Sequence, residues 1–86
     1  MTYTVKLGKQ PEKFLKKLDT ITYQRILVEL RELEQNPFPT DVKRLVGKKG
    51  RTAYRTRVGP SRVEYVVLQE TKEIIIFKIE ERSKAY

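Results

Sequence analysis

Between Val42 and Val63 the chain carries eight basic side chains, Lys43, Arg44, Lys48, Lys49, Arg51, Arg55, Arg57 and Arg62, and no acidic one. The formal net charge of the whole chain is +8, so the excess positive charge resides in this stretch and the remainder balances to zero. Segregation of that kind marks a surface for a polyanion. Arg55 and Arg57 stand two apart in a segment of strand character, TAYRTRV, so their guanidinium groups project from one face and Tyr54, Thr56 and Val58 from the other. Two like charges side by side repel unless an anion arrives. Arg62 follows a Val58-Gly59-Pro60-Ser61 turn and returns toward Arg57 in the paired strand. Lys48, Lys49 and Arg51 surround glycines 47 and 50, a loop suited to following a phosphate backbone. GKKGR is not a nucleotide-binding P-loop, because the preceding strand, the spacing and the Ser/Thr after the lysine are missing.

The chemistry open to such a surface is narrow. The chain has no histidine and no cysteine, which removes the commonest acid/base group, thiolate metal sites and disulfides, and its carboxylates are scattered; no metal or cofactor is expected. On RNA, the reaction compatible with these residues is attack of a 2′-hydroxyl on the adjacent phosphate. It needs a proton acceptor, a proton donor and a cationic clamp for the charge that builds on phosphorus. Arginine serves as the clamp but is a poor base, with on the order of one in 10⁵ or fewer deprotonated at neutral pH. Tyrosine, at about one in 10³, a carboxylate, or a lysine of depressed pKa are the candidates for the base. Binding without catalysis, or a basic strand kept merely for solubility, is the simpler alternative.

Eighty-six residues make a single domain, 1–86, with one modest core. Residues 2–7 alternate to put Tyr3, Val5 and Leu7 on one face of a strand. Pro11 suits a first helical turn, and Phe14, Leu15 and Leu18 share a face of a helix over about 10–19. Asp19 or Thr20 caps a second helix whose apolar set is Tyr23, Ile26, Leu27, Leu30 and Leu33 and which Asn36-Pro37 stops. The segment from Phe38 to Arg51 reads as a loop anchored at Leu45 and Val46. Strands follow over about 52–58, 62–69 and 73–79, the last apolar on both faces from Ile74 to Phe77, as an inner strand would be. The expected class is α+β in the order β-α-α-β-β-β, with a helical hairpin on one face of a small antiparallel sheet. There is no signal-like or membrane-spanning apolar run, and a soluble cytoplasmic protein is expected.

The run AYRTRVGPSRVEYVV, the apolar strand after it, the closing ERSKAY and a Leu-x-Gly element at Leu45 to Gly47 together resemble the RelE/ParE superfamily of toxins from bacterial and archaeal toxin-antitoxin pairs, and most of all its archaeal RelE branch. The resemblance implies a compact toxin that enters the ribosomal A site and cuts messenger RNA through the 2′-hydroxyl without metal. It also implies a cognate RelB-like antitoxin, acidic in its binding part, that covers exposed apolar surface and masks the basic face. Carried over by position, Arg55 and Arg57 fall where RelE toxins place two basic residues, typically lysines, one of them thought to act as the base. Arg62 falls on the arginine of an R-x-x-Y strand that stabilises the transition state, with Tyr65 completing it. Arg82 and Tyr86 match the arginine and tyrosine of a closing R-S-x-x-Y, where the tyrosine stacks on the target base. Lys43, Arg44, Lys48, Lys49 and Arg51 are the expected RNA and ribosome contacts. Two positions depart from the pattern: arginine at both 55 and 57 removes the lysine, and Glu80 stands where a further arginine is usual. A gyrase-inhibiting toxin of the ParE type that cuts nothing, and a plain nucleic-acid-binding module, are the rival functions.

Overall fold

The computed structural model describes residues 2–39, 42–45 and 52–81. Two helices cover one face of a five-stranded sheet. The elements run β1 (Thr4–Leu7), α1 (Lys9–Lys16), α2 (Thr20–Gln35), β2 (Lys43–Leu45), β3 (Ala53–Val58), β4 (Ser61–Leu68) and β5 (Glu73–Glu81). The α+β class and the helical hairpin are as the sequence implies. Two features of the sheet differ from the expectation. Lys43–Leu45, read as loop, is an edge strand antiparallel to β3, too short to show any alternation. The sheet is also mixed, in the order β1-β5-β4-β3-β2, with β1 parallel to β5 and the other pairs antiparallel.

Local chemistry accounts for the helix ends. Asp19 caps α2, its carboxylate accepting the Thr22 N–H at 3.1 Å, and that bond holds the Asp19 carboxyl below the usual range. Asn36, forced extended by Pro37, ends it. The apolar stripes then meet the sheet. Leu15 of α1 and Ile26, Leu30 and Leu33 of α2 pack with Val63, Tyr65, Ile74, Ile76 and Ile79 into one core. Inside it the Tyr65 hydroxyl donates to the Pro37 carbonyl at 2.7 Å, fastening the end of α2 to the middle of β4. Tyr65→Phe leaves that buried carbonyl without the hydroxyl and is expected to lower stability by about 1–3 kcal/mol in denaturant titration.

One irregularity governs which side chains of β5 face outward. Glu64 pairs with Lys78 but Tyr65 pairs with Ile76, so Phe77 is an extra residue, a β-bulge. Strict alternation from Ile74 and Ile76 would turn Lys78 and Glu80 toward the helices. With the bulge Ile79 is the buried residue instead, and Lys78 and Glu80 stand on the face that carries no helix.

Candidate RNA-binding face

The basic face is assembled by strand register. The β3–β4 hairpin closes through Gly59 and Pro60, with Val58 opposite Ser61; Gly59 takes a φ of +59°, and the ring of Pro60 fixes the next residue. This sets Thr56 opposite Val63 on the helix side, where both are buried and the Thr56 hydroxyl donates to Glu29 Oε2 at 3.2 Å. The alternate residues must therefore face away. Arg57, Arg62 and Glu80 form one row across β3, β4 and β5, and Lys43, Arg55, Glu64 and Lys78 form the next across β2 to β5.

Arg55, Arg57 and Arg62 are thus brought to one open face, as their spacing implies, and Lys43 joins them. Arg44 does not: it pairs with Tyr54 and belongs to the opposite face of its strand. Lys48, Lys49, Arg51, Arg82 and Tyr86 lie outside the described residues. Tyr65, the second member of R-x-x-Y, points into the core, because residues three apart in a strand project to opposite faces.

Like charges directly opposite one another, Arg57 with Arg62 and Lys43 with Arg55, cost stability in a sheet. Carboxylates interleave with them. Glu80 lies between two cations, with Oε1 3.8 Å from Arg62 Nη1 and Oε2 3.7 Å from Lys78 Nζ. Both separations exceed hydrogen-bond length, so neither cation is firmly held. Arg62 is half-buried, and its Nε is sequestered from solvent with no hydrogen-bond partner. A phosphate that offers two oxygens in the plane of the guanidinium competes well for such a group.

Three residues absent from the sequence-based set shape this face. Lys78 and Glu80 come outward through the bulge. Gln10 of α1 acts where β1 ends: its Nε2 donates to the Ile79 carbonyl at 2.7 Å, and the Ile79 N–H donates to its Oε1 at 2.9 Å. One amide side chain thus does for β5 what another strand would do, and it fixes the backbone between Lys78 and Glu80. At the hairpin end the guanidinium of Arg25, from α2, lies against Gly59, 3.3 Å from where a Cβ would stand.

A groove of about 530 Å³ lined by Phe38, Tyr54, Val66 and Leu68 lies at the opposite end of the β3–β4 hairpin, away from the arginines. Among the described residues the arginines stand on open sheet and line neither this groove nor the one beside α2, an arrangement that fits an extended polymer better than a small molecule. Among the described residues no cluster of acidic side chains could hold a metal ion, and no helix is long and apolar enough to cross a membrane.

Comparison with known proteins gives this geometry a family. No family model matches the chain. A curated protein of Methanocaldococcus jannaschii named "Putative toxin RelE1" is 38% identical over 89 residues, spanning 100% of this chain and 97% of that one. The archaeal RelE–RelB complex of Pyrococcus horikoshii contains a chain that superposes with a TM-score of 0.84 at 39% identity, covering 98% of this chain and 99% of its own. The isolated Escherichia coli RelE toxin shares the fold, with a TM-score of 0.77 at 18% identity over 92% of this chain and 83% of its own. An archaeal relative matched along its full length and a fold shared across that range of identity place this chain in the RelE family of toxins from toxin-antitoxin pairs.

Proposed function

We propose that this protein is a ribosome-dependent messenger-RNA endonuclease that cuts the A-site codon by attack of the 2′-hydroxyl on the adjacent phosphate, without metal, and so arrests translation in the cytoplasm. The observation that carries the reading is the placement of Arg55, Arg57, Arg62 and Lys43 on the one sheet face that no helix covers. Arg62 is the clamp on the scissile phosphate, with Arg55 and Arg57 beside it. Arg82 and Tyr86 complete the site, the tyrosine stacking on the target base. Lys43, Lys48, Lys49 and Arg51 hold the message and the ribosome, and Arg44, on the other face of its strand, contacts the ribosome alone.

A RelB-like antitoxin is the partner, supported by the RelE–RelB complex among the structural neighbours. Its apolar segments have surface to cover here, including Ile21 and Val28, two turns apart on one exposed side of α2. An acidic segment over the arginines would switch the toxin off.

Primer extension on a defined message in a reconstituted translation system tests the activity. Cleavage at the A-site codon, confined to ribosome-bound message and unaffected by a chelator at constant magnesium activity, is the expected result. Intact message with translation continuing, together with inhibition of purified gyrase, would move the protein to the ParE type of action.

A further inference from the structure

We propose that the Glu80 carboxylate is the proton acceptor of the cleavage, taking the 2′-hydroxyl proton while Arg62 holds the phosphate. This rests on the endonuclease reading above and assigns a residue within that site.

The argument begins with what the open face offers. Its arginines would need to be neutral to act as bases, a state that on the order of one in 10⁵ or fewer occupies at neutral pH. Lysine, at about one in 10³, does better but must also shed its proton first. The described tyrosines are elsewhere: Tyr65 and Tyr54 belong to the helix side of the sheet, Tyr23 packs on the core, and the Tyr3 hydroxyl donates to Gln69. A carboxylate, in contrast, is ionised near neutral pH and ready to accept. Among the described residues three stand on this face, and Glu73, at the far end of β5, is taken by Lys6 at 2.7 Å, which leaves Glu64 and Glu80 beside the arginines. Glu64 lies opposite Arg55, and Glu80 lies opposite Arg62, within 3.8 Å of it. In the 2′-hydroxyl reaction the acceptor and the clamp must reach neighbouring atoms of one nucleotide, which selects Glu80.

The surroundings of Glu80 suit the task. Arg62 faces it from β4, Arg57 lies one strand farther on, Lys78 flanks it on β5, and Glu64 sits diagonally in the adjoining row. From the helical layer the uncharged Gln10 bonds the backbone of Ile79, and β1 ends opposite Ile76. The contacts at 3.7 and 3.8 Å leave both carboxylate oxygens able to accept a hydroxyl at 2.5–3.0 Å. When phosphate engages Arg62, the carboxylate is released from its ion pair next to the hydroxyl that must lose a proton.

The step balances within substrate and site. The 2′-oxygen gives its proton to a Glu80 oxygen and forms a bond to phosphorus, and the bond from phosphorus to the 5′-oxygen breaks. That oxygen takes a proton from solvent water, leaving a 2′,3′-cyclic phosphate and a 5′-hydroxyl. Glu80 then returns its proton to solvent.

Single-turnover cleavage of ribosome-bound message by wild type, Glu80→Gln, Glu80→Asp and Glu80→Ala tests this. Glu80→Gln should melt with wild type yet cut at least about 10²-fold more slowly, and should lack the fall in rate on acidification that is expected of wild type. Glu80→Asp should keep that acid limb, and Glu80→Ala should regain rate on addition of formate. A substrate with sulfur in place of the 5′-oxygen leaves without needing a proton and should not rescue Glu80→Gln. A Glu80→Gln variant that cuts as fast as wild type, or faster, overturns the assignment and makes Glu80 a brake on Arg62. A wild-type chain that cuts nothing overturns the endonuclease reading, and this inference with it.

Discussion

Arg62→Ala is expected to slow cleavage of ribosome-bound message by at least about 10²–10³-fold while leaving the fold intact, because it removes the donors aimed at the phosphate as its charge builds. The stability cost should be small. The ion pair with Glu80 is partly exposed and 3.8 Å long, a kind of contact worth about 0–1 kcal/mol, and the buried Nε that would be lost satisfies no partner. Arg62→Lys separates charge from shape: it keeps a cation and loses the planar fork, so it should fall between alanine and wild type. Single-turnover rates beside thermal melts distinguish these outcomes. Folded Arg62→Ala protein that cuts at the wild-type rate would remove Arg62 from the site. Arg82→Ala belongs in the same experiment as the second proposed cation.

Ile79→Lys should unfold the protein or leave it barely stable. The extra residue at Phe77 turns Ile79 into the core and leaves Lys78 and Glu80 outside, so the substitution drives an ammonium group among the buried side chains. Losing the burial of Ile79 alone forfeits about 2–3 kcal/mol, and an unpaired buried charge costs more than that. For a domain whose total stability is about 5–15 kcal/mol the sum is close to fatal. Phe77→Ala is the matched control: the residue is 41% exposed, so truncation keeps the bulge and should cost far less. Equal melting temperatures for the two variants would show that the bulge does not hold Ile79 in the core.

The same bulge explains much of what the sequence conceals. The helices are legible because Phe14, Leu15 and Leu18, and then Ile26, Leu30 and Leu33, repeat at helical spacing. The β3–β4 hairpin is legible because Gly59-Pro60 sets its register, and with it the shared face of Arg55, Arg57 and Arg62. Lys78 and Glu80 are misplaced by any reading that continues the alternation of Ile74 and Ile76. The spacing of three between Ile76 and Ile79 is a signal for the irregularity, but three isoleucines in a row from 74 mask it. Gln10 carries no mark in the sequence, since its role depends on β1 ending where α1 passes β5. The strand at Lys43–Leu45 offers two cations and a leucine, which no period-two test can resolve. The parallel pairing of β1 with β5 joins segments from opposite ends of the chain, and local pattern says nothing about it.

That pairing bears on when the basic face is complete. β5 is synthesised after the other four strands yet sits between β1 and β4, and it supplies Ile74, Ile76 and Ile79 to the core. Until Glu73–Glu81 has emerged, β1 has no strand to join, β4 keeps one edge open, and Lys78 and Glu80 are missing from the basic face. Contacts so distant along the chain form late, and the open edge meanwhile invites pairing with other chains. A ribosome making this protein therefore holds an unfinished sheet until its last strand is free, and the basic face is completed only then.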